Sequence, residues 1–215
     1  MTGSLHRSFF LAGPAGRLEA QLWTVASAGP PMAAVVCHPH PLHGGTLHNK
    51  VIFHAARTLN RVGLPVLRFN FRGAGLSEGA HDRGRGEADD VRAAIDWLAG
   101  EYAGRPLLLA GFSFGAWVGL RAGCADSRVS HLIGLGIPVN SANHDYLRQC
   151  DKPKLFVHGR NDEHGDPAAV ESLVASLPGV NRLTLIDAAD HFFTDQLDQM
   201  TAALREWTQS QIQEP

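Results

Sequence analysis

Cysteine is scarce in this chain. Among 215 residues only Cys37, Cys124 and Cys150 occur, too few and odd in number for a disulfide framework, and no Cys-x-x-Cys pair marks a redox or zinc site. A reducing compartment is expected. Long apolar runs are also missing. No stretch approaches the ~18 residues of a membrane span, and the opening MTGSLHRSFFLAGPAG holds an apolar stretch shorter than a signal-peptide core. A cytoplasmic protein without a membrane partner is therefore expected. Charge of one sign is lacking too. The 19 Lys and Arg against 21 Asp and Glu leave a net charge of -2, and the 16 Arg are scattered. That distribution has no basic footprint for a phosphate backbone, so nucleic acid is not an expected partner.

What remains is an ordinary globular composition, 44% hydrophobic and 19% charged, on a chain of a length that one core can serve, so a single domain over 1–215 is expected. Short apolar runs alternate with segments of helical period. The runs at 33–37, 64–71, 107–111, 132–137, 155–157 and 183–186 read as strands buried on both faces, and 17–25 as an edge strand with a wetter face. Val51, Ala55, Leu59 and Val62 share one helical face, as do Val91, Ala94, Ile95 and Leu98. Further helices are predicted over about 167–177, with Pro167 in the first turn, and through Leu197, Met200, Leu204 and Trp207. Strands separated by helices in this way predict an α/β fold with a mostly parallel, doubly wound sheet and helices on both faces. Ligands in such folds bind at the carboxyl ends of the strands.

At one such end stands Gly111-Phe112-Ser113-Phe114-Gly115, a G-x-S-x-G pattern between the strand-like LLLA and the helix-compatible AWVGLRAG. The glycines let strand and helix approach while the serine hydroxyl stays exposed on the sharp turn. A serine near neutral pH needs a base, and that base an orienting carboxylate. Asp162 follows the strand at 155–157 and His191 follows the strand at 183–186, giving the order Ser, Asp, His. Asp166, Asp187 and Asp190 compete for the role of acid. Asp166 precedes Pro167 and reads better as a helix cap, while Asp187 and Asp190 read as shaping the histidine loop.

Acyl transfer also needs donors for the oxyanion. The Phe114 amide is one expected donor. The second is expected from the loop His38-Pro39-His40-Pro41-Leu42-His43-Gly44-Gly45-Thr46, where Pro39 has no N–H and His40 does. In an extended segment His38 and His40 would project to one side, which invites a metal reading, but no carboxylate or cysteine nearby completes a ligand set. Neither a metal nor another cofactor is expected.

Taken together, HPHPLHGGTLHNKV (38–51), RFNFRGAGLSEG (68–79), GEADDVRAAIDWL (86–98), GFSFG (111–115), HGRNDEHGDP (158–167) and DHFF (190–193) resemble the small α/β-hydrolases. The likeness is strongest to a cap-less bacterial group with a His-Pro-His-Pro-x-x-Gly-Gly-Thr loop. The resemblance implies a Ser113, Asp162, His191 triad, oxyanion donors at His40 and Phe114, and hydrolysis of an ester, thioester or related acyl bond. Asn70 departs from the Asp common in the wider superfamily, and His38-Pro39 from the His-Gly of many esterases. The dienelactone hydrolases, similar in size, use cysteine where Ser113 stands. Only residues 138–153 lie where lids are usually inserted, so no cap domain is expected, although 143–147 has room for a short helix over the pocket.

Two arginines, Arg72 and Arg160, fall in loops at the same end of the sheet; a clamp on a substrate carboxylate or phosphate is one reading, and pairing with local acids is the commoner one. Asp89 and Asp90 are expected to open a helix, favoured by its dipole. The leading expectation is a serine esterase acting on a small acyl compound. The alternatives are a peptidase or amidase of the same fold, and a non-catalytic binding protein that keeps the fold. The sequence leaves the oligomeric state open.

Overall fold

In the computed structural model, residues 6–26 and 29–213 are described. The apolar runs become strands β1 (His6–Gly13), β2 (Gly16–Trp23), β3 (Ala33–Cys37), β4 (Val66–Phe69), β5 (Leu107–Phe112), β6 (Val129–Leu135), β7 (Lys154–Gly159) and β8 (Asn181–Ile186). They make one sheet in the order β1-β2-β4-β3-β5-β6-β7-β8. From β4 to β8 every pairing is parallel, while β1 and β2 pair antiparallel with each other and β2 antiparallel with β4. Strands β3, β4, β5 and β7 are buried at every residue, as their unbroken apolar runs require.

The edge lies one strand further out than the sequence suggests. β1 precedes the segment read as the edge and covers it, with Leu11 its only fully buried residue. Its pattern is too polar to stand out as a strand. The pairing to β2, running from His6 opposite Trp23 to Gly13 opposite Gly16, depends on a tight connection. At Gly16, with φ of +119°, a Cβ would also meet the Glu78 side chain at 2.6 Å, so glycine is needed there.

Among the described residues five helices cover the sheet: α1 (Lys50–Arg61), α2 (Arg85–Glu101), α3 (Phe114–Ala125), α4 (Pro167–Ala175) and α5 (Leu197–Gln213). The residues of α1 and α5 pack into one apolar cluster with Val36, Ala110 and Val157. Those of α2, α3 and α4 pack into the other with Val35, Leu109 and Phe156. Alternate residues of a single strand thus feed the two cores, the layering of a doubly wound sheet. Asp166 caps α4, its carboxylate accepting from the Ala168 amide, as expected. Among the described residues no helix is long and apolar enough to cross a membrane.

Helix α2 opens earlier than expected, at Arg85, with Glu87 as the acid of its first turn. Asp90 lies inside the helix and is fully buried, so its role is not to complement the helix dipole. Between β6 and β7 residues 136–153 contain a single 3-10 turn, Asp145–Gln149. Tyr146 Oη donates to the Trp117 carbonyl and Trp117 Nε1 to the Asn143 carbonyl, so this turn is tied to α3 and leaves the strand ends uncapped.

Candidate active site

Ser113 stands between β5 and α3 with φ of +55° and ψ of -121°, a region that costs a non-glycine residue on the order of 1–3 kcal/mol. The neighbouring glycines are steric necessities. A Cβ at Gly111 would lie 2.3 Å from the Gly115 carbonyl oxygen, and one at Gly115 would lie 2.3 Å from the His38 oxygen and 2.4 Å from that of Cys37. The Ser113 amide donates to the Leu135 carbonyl at 2.9 Å, which holds the turn against β6.

The structure brings Ser113, Asp162 and His191 together. His191 Nε2 is 2.9 Å from Ser113 Oγ, and Nδ1 is 2.9 and 2.8 Å from the two Asp162 oxygens. With its proton on Nδ1, the imidazole donates to the carboxylate and accepts from the serine hydroxyl. His191 is 3% and Asp162 6% exposed. Burial on its own would raise the Asp162 carboxyl. The His191 hydrogen bond, the charges of His191 and His158, and the His164 amide outweigh it and hold Asp162 below its ordinary value. Asp162 Oδ1 also accepts from the His164 and Gly165 amides at 2.8 and 3.2 Å. Of the competing acids, Asp190 accepts from the Thr194 amide and Asp187 pairs with Arg160.

His158, which sequence reasoning passed over, buttresses this carboxylate. It is fully buried, its Nε2 donates to the Gly165 carbonyl at 2.7 Å, and the same atom is 3.5 Å from Asp162 Oδ2. Nothing in its local sequence distinguishes it from other histidines, because its role depends on the loop folding back over it.

The loop after β3 separates two histidines that the extended reading placed side by side. His38 turns into the protein, where Nδ1–H donates to the Pro39 carbonyl at 2.6 Å and Nε2 accepts from the Phe71 amide at 3.0 Å. Burial lowers its pKa to about 4, so it stays neutral. His40 faces the site and stacks on His43 with centroids 4.4 Å apart. The loop closes on itself at Gly45, where a Cβ would be 2.1 Å from the Pro39 oxygen. Among the described residues no acceptor pairs with the His40 or Phe114 amide.

Ser113, His191, His40 and Phe114 border a cavity of about 440 Å³, which also takes in His81, Arg83, Trp117, Ser141, His164 and Phe192. Phe112 and Phe192 pack on the His191 ring, with centroids at 4.9 and 5.3 Å. Neither arginine singled out from the sequence borders the cavity. Arg72 is held by the buried Asp90 and Arg160 by Asp187 at the surface, which is the pairing with local acids and not the substrate clamp. The fold is thus a doubly wound α/β sheet that carries a serine on a strained strand-to-helix turn.

Comparison with known proteins gives the family. Residues 34–213 match the model described as an alpha/beta hydrolase domain, and the chain belongs to that family. An uncharacterized protein of Rickettsia prowazekii, RP471, is 34% identical over 207 residues, covering 92% of this chain and 87% of its own. Among solved structures, XC6422 of Xanthomonas campestris, a serine hydrolase without a lid, superposes with a TM-score of 0.90 at 34% identity over 99% of this chain and 98% of that one. An alpha-beta serine hydrolase homologue from Coxiella burnetii gives 0.87 at 34% identity, covering 93% and 96%.

Proposed function

We propose that this hydrolase cleaves an ester, thioester or related acyl bond of a small cytoplasmic compound through an acyl-enzyme, with no cofactor. The observation that carries the reading is one imidazole, His191, within 2.9 Å of both Ser113 Oγ and the Asp162 carboxylate. Ser113 Oγ attacks the acyl carbon as its proton passes to His191 Nε2. Asp162 keeps the imidazole in the required tautomer and stabilises the imidazolium that forms. The His40 and Phe114 amides, without an acceptor among the described residues, donate to the developing oxyanion. His191 then returns the proton to the leaving group, and water repeats the sequence on the acyl-enzyme.

An esterase-like preference for small or extended substrates is supported by the short connection between β6 and β7, which among the described residues holds one 3-10 turn and no cap domain. The test is labelling with a fluorophosphonate, followed by turnover of short p-nitrophenyl esters, on wild type beside Ser113→Ala. Wild-type labelling and turnover, both lost in the variant, are expected. Absence of both from wild type would overturn the reading.

A further inference from the structure

We propose, building on the hydrolase reading, that Arg83 recognises an anionic group on the substrate, so that the preferred substrates are acyl compounds carrying a carboxylate beyond the scissile bond. The cavity around Ser113 is bordered by histidines and by Arg83, and no Asp or Glu belongs to its wall. Arginine stays protonated at any pH at which proteins function, so Arg83 is the fixed charge that a bound substrate meets. Its neighbour Arg85 lies 3.8 Å from Asp82. Among the described residues Arg83 has no carboxylate partner, and its side chain is exposed.

Its position is built. Arg83 has φ of +53° and the following Gly84 has φ of +88°, two left-handed residues in succession, the first of which strains a non-glycine residue. The fully buried Glu87 holds the turn on both sides. Its Oε1 accepts from the Asp82 amide at 2.8 Å and its Oε2 from the Gly84 amide at 2.7 Å. The same carboxylate lies 2.8 Å from His81 Nδ1, and Asp82 in turn accepts from the Gly86 amide at 3.1 Å. Gly84 sits directly on the Trp117 ring, where a Cβ would be only 2.5 Å from a ring carbon. Trp117 lies one helical turn beyond Ser113 on α3, so the turn that presents Arg83 is braced against the helix that starts at the nucleophile. A buried carboxylate thus fixes the backbone on each side of an unpaired cation at the mouth of the site. An internal salt bridge would need no such support and would leave no free guanidinium.

The experiment compares p-nitrophenyl hydrogen adipate with its neutral methyl ester, two substrates of nearly equal size and the same leaving group. Wild type is expected to favour the anionic ester in kcat/KM, chiefly through KM, by about fivefold, the scale of a single solvent-exposed charge pair. This preference should shrink as ionic strength rises from about 0.02 M to about 0.5 M. Arg83→Leu should abolish the preference while leaving the neutral ester within about twofold of wild type, and Arg83→Lys should retain part of it. Arg85→Gln, altering an arginine outside the cavity wall, should leave the ratio unchanged. Equal turnover of the two esters by wild type overturns the proposal and leaves the hydrolase reading standing. Equal losses on both esters in Arg83→Leu also overturn it, since they would mark a structural role. Failure of wild type to turn over either ester or to take up a fluorophosphonate overturns the hydrolase reading and this proposal together.

Discussion

Arg72 meets Asp90 with backbone and side chain at once. Its amide donates to Oδ2 at 3.0 Å, Nε donates to the same oxygen at 3.0 Å, and Nη2 lies 2.7 Å from Oδ1. Asp90 is wholly buried and the Arg72 side chain is 11% exposed, so neither charge can be left without the other. The pair bolts the loop after β4 to α2, and Gly86 leaves room for it, because a Cβ there would lie 2.0 Å from Arg72 Nη1.

Breaking one side of a buried pair costs about 3–5 kcal/mol. Arg72→Leu is therefore expected to lower Tm by roughly 10 °C for a chain of this size, measured by calorimetry. The double variant Arg72→Leu with Asp90→Leu should regain much of that loss, because no unpaired charge is left. Any loss of turnover in Arg72→Leu should fall equally on neutral and anionic esters. A loss confined to anionic esters would place Arg72 at the substrate after all.

Ser113 combines a strained backbone with a half-buried hydroxyl bonded to His191, so stability and activity should part company there. Ser113→Gly removes the penalty of a positive φ, and a gain of about 1 kcal/mol is expected, visible as a Tm raised by a few degrees. The same variant should lose turnover and fluorophosphonate labelling. A lower Tm would mean that hydrogen bonding by the hydroxyl outweighs the strain.

Asp162 is held below its ordinary carboxyl value in the fold. The stability it contributes is therefore fully present above the unfolded-state value of about 4 and is lost as pH falls through the lower folded value. In Asp162→Asn this contribution should vanish, so the difference in Tm between wild type and variant should narrow on acidification below about pH 4. Turnover should drop by about three to four orders of magnitude at pH 7, because an amide no longer enforces the tautomer of His191 that accepts the serine proton. An activity loss of less than tenfold would move the role of acid elsewhere.

Asn70 joins three pieces of chain. Its Nδ2 donates to Glu19 Oε2 at 2.6 Å on β2, its Oδ1 accepts from the Leu47 amide at 2.6 Å, and its carbonyl accepts from Ser77 Oγ at 2.7 Å. Asp at this position could accept from Leu47 but would set a carboxylate against Glu19. Asn70→Asp is expected to cost about 1–3 kcal/mol, read as a Tm loss, and Glu19→Gln in the same chain should recover part of it. No recovery would show that repulsion is not the cause.

Much of the site is legible in the order of residues because the chemistry there is local. A nucleophile elbow needs small residues on both sides of the serine, and Gly111 and Gly115 meet backbone at 2.3 Å when given a Cβ. Asp162 follows the buried strand β7 and His191 the half-buried edge strand β8, and a parallel sheet delivers both loops to one end. The continuous apolar runs of β3, β5 and β7 could be read for the same reason, since strands covered on both faces tolerate little else. Strand β1 escaped notice because an exposed edge has only one residue, Leu11, to bury.

Sequence alone determined the fold class and placed Ser113 and Asp162, which converge on the His191 imidazole, because short-range sterics and the strand-then-loop rhythm constrain them. Only the tertiary structure decided which charges serve the site. Arg72, Arg83 and Arg160 are all loop arginines, Arg72 and Arg160 just past strands β4 and β7 and Arg83 just before α2. Arg72 is consumed by Asp90 and Arg160 is paired with Asp187. Arg83 borders the cavity because the buried Glu87 fixes the turn around it. Charge pairing depends on which carboxylates arrive across the fold, a distance in space that no spacing along the chain encodes.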